Sequence, residues 1–288
     1  NFANFRSRLQ DAVAKGDGAA SVDYDVRVPM PRSFLAHVSP LGEGRSVLLV
    51  LRDLTREQQI ERMRADFVAN ASHELRTPLA ALSGFLETIQ GAAKNDETAQ
   101  AKFFGLMRSQ ADRMRRLIDD LLSLSRIEMN EHVRPAGEVD LVQVANHVRD
   151  VLSPMASEFG CELRVESDGP LIVAGSRDEL VQVVQNLAEN ALKYGSSGKR
   201  VEIIVARSNG MADLSVRDHG PGIAEEHIPR LTERFYRVNV QESRSRGGTG
   251  LGLAIVKHIV NRHRGRLTIV SELGKGSTFT VRIPFKVS

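Results

Sequence analysis

Four clusters in this 288-residue chain have the residue types and spacing to do chemistry. The first is S-H-E-L-R-T-P, residues 72–78. At 100° per residue, Phe67, Ala71, Leu75, Pro78, Leu82, Leu86 and Ile89 fall in one arc of a helix, and His73 points almost directly away from it. His73 is therefore predicted to face water, with Thr77 one turn on along nearly the same side and Glu74 at the border of the wet and packed faces. An exposed neutral imidazole carries a lone pair and can act as a nucleophile, and a carboxylate beside it can orient the ring or take the proton released on attack. Pro78 removes a backbone donor and is predicted to bend the helix just past the histidine. A lone histidine on a polar helix face is ordinarily just a solvated side chain. Its surroundings have to decide.

The other three clusters lie in the C-terminal half. A helix is predicted over 176–194, opened by a Ser176 and Glu179 capping box, with Leu180, Val183, Leu187 and Ala191 on its apolar face. Asn186, Asn190 and Lys193 share a narrow arc beside that face. Amide oxygens suit Mg²⁺ when phosphates supply the negative charge, and a lysine can neutralise a phosphate oxygen. The stretch D-H-G-P-G-I, residues 218–223, ends a predicted strand with Asp218, Gly220 and Gly222. Such an acid can accept a hydrogen bond from the exocyclic amine of adenine, while the glycines let backbone approach the ring. Finally, G-G-T-G-L-G-L-A-I-V, residues 247–256, sets glycines before an apolar helix, whose N-terminal amides can bind phosphate. No G-K-S/T closes this segment and no strand precedes it, so neither a Walker loop nor a dinucleotide fingerprint is present. Between the last two clusters runs a polar, strand-poor stretch of about 25 residues, which a lid over bound nucleotide would explain. The later G-K-G-S, 274–277, lies between two predicted strands and reads as a hairpin turn.

Several elements must position these groups. Residues 1–55 read as a helix (Phe5, Leu9, Val13) and three strands, VDYDVRV, SFLAHV and SVLLVLRDL, a small α+β module. Residues 56–134 read as a coiled-coil connector (Ile60, Met63, Phe67) running into a helical hairpin. Its second helix repeats Met107, Met114 and Leu121 at sevens, with Ala111, Ile118 and Leu124 between. One hairpin cannot cover both apolar stripes, which points to a homodimeric antiparallel four-helix bundle. Beyond a linker at Pro135 and Gly137, residues 135–288 alternate helices and mostly antiparallel strands, an α/β sandwich. The fold class expected is thus multidomain α+β. Net charge is only +3 with the signs interspersed, so no nucleic-acid partner is expected. Cys161 stands alone, and neither a disulfide nor a multi-cysteine metal site is available to it. No apolar run approaches the roughly 18 residues of a membrane span, and the chain starts at Asn1 without a Met. A soluble fragment is expected, with any membrane segments of its parent outside it.

H-E-L-R-T-P resembles the phosphoacceptor box of sensor histidine kinases, and three further boxes follow in that family's order. N-L-A-E-N-A-L-K-Y resembles the N box, D-H-G-P-G-I the G1 box and G-G-T-G-L-G the G2 box, while E-R-F-Y-R (233–237) is similar to the F box of the lid. The resemblance covers residues 55–288. It implies a C-terminal domain of the GHKL ATPase type, Asn190 as the Mg²⁺ ligand, and Asn186 and Lys193 on ATP phosphates. It further places Tyr194 near the nucleotide, Asp218 as adenine reader with Gly220 and Gly222, and Gly248, Gly250, Leu251 and Gly252 along the phosphate loop. Arg237, or Arg234 in its stead, would reach the terminal phosphate, and Phe235 would anchor the lid. His73 would take the phosphoryl group and pass it to an aspartate of a response-regulator receiver domain. Glu74 and Thr77, as H-E-x-x-T, match the pattern for dephosphorylating that partner. Residues 1–55 resemble the C-terminal half of a PAS sensor module, whose last strand ends in a motif that Asp53, Leu54 and Thr55 fit. A PAS module feeding into F-V-A-N-A-S-H-E-L-R-T-P is similar to the phosphate-regulon subgroup, though related sensors share it. The resemblance implies the cytoplasmic portion of an inner-membrane-anchored bacterial sensor. Two rival classes remain: an ATP-gated dimerising ATPase of the gyrase or chaperone kind, against which the phosphoacceptor box argues, and a catalytically silent scaffold, against which four intact boxes argue.

Overall fold

The computed structural model describes residues 20–26, 31–40, 47–208, 210–239, 243 and 246–285. The helix expected around Phe5, Leu9 and Val13 lies outside the described residues. By its internal contacts the chain divides into two units, Asn1–Glu74 and Leu75–Ser288.

In the first unit β1 (Ala20–Val26), β2 (Arg32–Pro40) and β3 (Val47–Asp53) form an antiparallel sheet in that order. All three expected strands are therefore present. Helix α1 (Thr55–Gln90) starts directly after β3. The Asp-Leu-Thr sequence explains how. The Asp53 carboxylate accepts the Thr55 N–H at 2.9 Å, satisfying a first-turn donor, and the Thr55 hydroxyl oxygen accepts the Ser33 N–H from β2 at 3.0 Å. These bonds from Thr55 hold the Asp53 carboxyl below the usual range. The helix runs through Pro78 without interruption, and Pro78 is buried.

In the second unit, α2 (Glu97–Met129) begins at Asp96, whose side chain accepts the Ala99 N–H at 2.9 Å. The end of α1 and the start of α2 meet through Phe85 and Phe103, ring centroids 5.7 Å apart. The sandwich follows: β4 (Glu138–Asp140), α3 (Leu141–Glu158), β5 (Glu162–Ser167), β6 (Ile172–Ala174), α4 (Arg177–Gly195), β7 (Arg200–Ser208), β8 (Met211–Asp218), α5 (Gly252–Arg262), β9 (Arg266–Glu272) and β10 (Gly276–Pro284). Five strands form one sheet in the order β5-β7-β8-β10-β9, antiparallel except for β5 beside β7, and β4 pairs with β6. Period-two alternation places Ala212, Leu214 and Val216 of β8 in the core, where Leu187, Ile203, Ile255 and Ile259 are also buried. Each fully buried side chain of this size contributes about 1.5–3 kcal/mol.

Two expectations are corrected here. The heptad stripe does not account for all the packing of α2: Leu117 and Ile127, outside it, are buried along with Leu124, while Ala111 and Ile118 are exposed in the single chain. The reason is that α2 packs on α5 of the sandwich, so its C-terminal half carries a second apolar face. The same packing keeps the hairpin and the sandwich in one contact unit, Leu75–Ser288. The second correction concerns the start of α4. Ser176 occupies the N-cap position but makes no side-chain capping bond, and the expected partner Glu179 instead pairs with Arg262. A guanidinium offers a carboxylate a stronger partner than a backbone amide does. The Ser176 N–H donates to His263 Nε2 at 3.1 Å.

Candidate nucleotide site and phosphoacceptor helix

His73 is exposed on α1, with Glu74 and Leu75 half-buried, Thr77 exposed and Pro78 buried. That is the face the helical phase predicts. Asn186, Asn190 and Lys193 line one side of α4, as their spacing requires. The Asn186 amide donates to Gln182 O at 3.0 Å, and its Oδ1 lies against the first turn of α5, only 2.7 Å from where a Cβ on Gly252 would stand. Lys193 is 8 % exposed and its Nζ donates to Glu189 Oε2 at 2.7 Å. Burial pushes the Glu189 carboxyl up, but the Lys193 charge and hydrogen bonds from Lys193 and Gln185 outweigh it and bring it below the usual range.

Asp218 ends β8 and is buried, with Oδ1 accepting the Gly220 N–H at 2.9 Å. Burial raises its carboxyl above the usual range, while hydrogen bonds from Gly220 and Ser277 pull the other way. Its immediate frame was not legible in the sequence. A Cβ on Gly195 would lie 2.4 Å from Asp218 Cβ, and one on Gly220 would lie 2.5 Å from Gly195 Cα, so the end of α4 and the loop after β8 touch backbone to backbone. Gly222, at φ 71°, would put a Cβ 2.1 Å from Glu272 O. Gly220 and Gly222 therefore accommodate neighbouring protein backbone, and Gly195 accommodates the Asp218 side chain. The G-K-G-S turn does join β9 to β10, and it also closes this frame through Ser277, paired with Asp218.

The loop before α5 is anchored from three directions. Gly248 N–H donates to Ser243 O at 2.8 Å, and the Tyr194 hydroxyl donates to Ser243 Oγ at 3.0 Å. Phe235, at φ 64°, donates its N–H to Gly250 O at 2.8 Å. Arg237 donates to Thr249 O at 2.7 Å, whereas Arg234 pairs with Glu128 of α2. Leu251 is buried at the N-cap position of α5, and its N–H donates to Thr249 Oγ1 at 3.3 Å. The stretch between Ile223 and this loop has no strand among its described residues and includes a short 3₁₀ helix over Glu225–Arg230.

A set of α2 residues, absent from the sequence reading, reaches the same rim. Thr249 Oγ1 donates to Asp120 Oδ2 at 2.6 Å, and Ser123 and Gln182 exchange a bond at 2.9 Å. Glu128 meets Arg234 and lies 3.4 Å from His258 Nε2. Burial raises the Asp120 carboxyl, against the Thr249 bond. Only a three-and-four stripe of polar residues on the helix could have signalled them.

A magnesium nucleotide fits this donor set. Asp218 retains acceptor capacity beyond its present bonds, α5 presents its N-terminal amides behind glycines, and the neutral Asn190 oxygen suits an ion whose charge phosphates balance. Among the described residues no cluster of three His, Cys, Asp or Glu side chains forms a metal cage.

Helical hairpin and nucleotide-binding sandwich together define a two-part kinase architecture, and the comparisons with known proteins agree. The model of the His Kinase A (phospho-acceptor) domain matches residues 63–130, and that of the histidine kinase-, DNA gyrase B- and HSP90-like ATPase matches residues 175–287. The phosphate regulon sensor protein PhoR of Pseudomonas aeruginosa is 40% identical over 244 residues, 85% of this chain and 55% of that protein. Sensor protein kinase WalK of Staphylococcus saprophyticus is 35% identical over 260 residues, 88% of this chain and 42% of that protein. Among solved structures, the histidine kinase AdeS of Acinetobacter baumannii aligns at TM-score 0.59 and 27% identity, covering 75% of this chain and 98% of that one. The histidine kinase ThkA, solved in complex with response regulator protein TrrA, aligns at TM-score 0.59 and 19% identity over 97% of this chain and 82% of that one, a likeness of fold. The chain belongs to the sensor histidine kinases of two-component systems. It spans about half the length of the curated relatives it matches.

Proposed function

We propose that this chain binds ATP in its C-terminal sandwich, phosphorylates itself on His73 and transfers the phosphoryl group to an aspartate of a response-regulator receiver domain. The observation that carries the reading is the exposed imidazole on α1, set in H-E-L-R-T-P beside a half-buried Glu74. The His73 lone pair attacks the γ-phosphorus, the bond from that phosphorus to the bridging oxygen breaks, ADP leaves, and Glu74 takes the ring proton or orients the ring for attack. Asp218 accepts a hydrogen bond from the adenine amine, with Gly220 and Gly222 shaping its loop and Tyr194 beside the nucleotide. Gly248, Gly250, Leu251 and Gly252 present backbone amides to the phosphates. Asn186 and Lys193 contact phosphate oxygens, and Arg237 offsets the charge on the terminal one. Asn190 would hold Mg²⁺, which neutralises charge on the phosphates when bound. Phosphohistidine is a phosphoramidate and readily yields its phosphoryl group to a carboxylate. Thr77, one turn beyond His73, positions water for the reverse service, hydrolysis of the phosphorylated regulator.

The domains that support this work are a PAS-like module in residues 1–55, a dimerising helical hairpin in 56–134 and the ATPase domain in 135–288. Two hairpins form a four-helix bundle, which covers the apolar side chains of Leu79, Leu86, Ile118 and Leu122 that a single chain leaves exposed. The partner class follows the family, one structural relative of which is solved with a response regulator. No helix among the described residues is long and apolar enough to cross a membrane, so anchoring would use segments outside this chain. Incubation with γ-labelled ATP separates the readings. Acid-labile, base-stable label on the protein supports the kinase. Free phosphate without protein label supports a conformational ATPase, and neither product supports a scaffold.

A further inference from the structure

We propose that α2 is a nucleotide-competitive latch, in which Asp120 holds the phosphate loop through Thr249 while α2 is docked on α5. The inference rests on the reading of residues 247–252 as that loop. The Asp120 carboxylate takes the Thr249 hydroxyl at 2.6 Å, and that hydroxyl oxygen in turn accepts the Leu251 N–H just before α5. A carboxylate placed there resembles the anion the helix N-terminus attracts, and it sets a negative charge beside the position of the nucleotide phosphates. Asp120 also sits near the Glu189–Lys193 pair, where the Glu189 charge raises its carboxyl and the Lys193 charge opposes that. Its raised carboxyl shows the other side of the balance: docking removes it from water, and leaving returns it.

The contact is one end of a continuous docked face. Leu124 and Ile127 are buried one and two turns along, and Glu128 holds Arg234 of the lid. Lid, phosphate loop and α2 therefore open together. Any group that binds only the open form competes with docking by mass action, and by linkage nucleotide drives α2 off the sandwich. ATP thereby both loads the site and frees the hairpin for phosphoryl transfer.

The test is ADP affinity by calorimetry on the whole chain with Mg²⁺. Asp120→Ala is expected to bind about tenfold tighter than wild type, the loss of one charge-assisted bond. Glu128→Gln, remote from the phosphate loop, is expected to tighten binding about threefold by loosening the same face. Asp119→Ala, at an exposed neighbour, should stay within about twofold of wild type. Unchanged or weaker binding by Asp120→Ala overturns the latch and leaves the ATP site standing. Tightening by Asp120→Ala alone, with Glu128→Gln unchanged, reduces the effect to local charge repulsion and also overturns the latch. Failure of wild type to bind ADP would remove the site reading itself, and the latch with it. If Asp120→Ala lacks a cooperative melting transition, Glu128→Gln decides: tightening supports the latch, and no tightening overturns it.

Discussion

Acid should weaken this protein through His263. The ring is 0 % exposed at the end of α5, its Nδ1 donates to Ile259 O at 2.8 Å, and its Nε2 accepts the Ser176 N–H at 3.1 Å. Both nitrogens are therefore used by the neutral tautomer. Burial depresses the imidazole below its ordinary range, the Ile259 carbonyl pulls the other way, and the Arg262 and Arg134 charges depress it further. Glu179 lies 3.8 Å from Nδ1, but it is already committed to Arg262. The unfolded chain takes up this proton near pH 6.5, the ordinary imidazole value, while the folded chain does not, so the histidine's contribution is complete above that pH and is lost on acidification toward the depressed folded value. The slope from one such group is at most about 1.4 kcal/mol per pH unit. His263→Ala removes the acceptor of a buried amide, about 1–3 kcal/mol, and leaves a cavity costing about 2 kcal/mol more. Urea unfolding at pH 7.5 should therefore show a loss of roughly 3–5 kcal/mol, and at pH 5.5 a smaller difference from wild type. Glu179, Asp218 and Asp120, whose carboxyls are raised by burial, add stability as pH falls in both proteins and cancel in the comparison. Equal losses at the two pH values would refute the assignment of the acid sensitivity to His263.

Three other outcomes are expected. Gly195→Ala forces a methyl group into Asp218 and should reduce ADP affinity at least about tenfold by calorimetry, with α4 intact by circular dichroism because alanine favours helix. Asp218→Asn should lower ADP affinity about 10- to 100-fold, and wild-type affinity should fall on acidification at a higher pH than an unperturbed aspartate would give, since the acceptor is the ionised form and burial has raised its carboxyl. Asp140→Ala leaves the Val142 and Leu171 amides without the carboxylate that now accepts both, at 3.0 and 3.2 Å, and should cost about 1–3 kcal/mol in urea unfolding.

Local periodicity carried much of this reading. The helical phase around His73 is set by Phe67 to Ile89, about six turns of one helix, and the arc of Asn186, Asn190 and Lys193 by about two turns of α4, so both were legible from spacing alone. Alternation along β8 located its core face for the same reason. Contacts across long separations were not legible. Glu179 has a Ser three residues before it and reads as a capping box, but its actual partner Arg262 comes 83 residues later. The face of α2 that meets α5 was hidden because Leu117 and Ile127 interleave with a heptad pattern, Leu124 included, that already gave its apolar residues a role. Gly195 gave no signal beyond ending a helix, and its importance comes from a carboxylate that the fold brings back across β7 and β8.

The measurement that bears most directly on the account is localisation of label after incubation with γ-labelled ATP and Mg²⁺. Peptide mapping should place an acid-labile, base-stable phosphoryl group on His73, and His73→Gln should carry none while binding ADP as tightly as wild type. Label that persists in that variant, or that maps to another residue, would contradict the claim that the exposed imidazole of α1 is the phosphoryl acceptor.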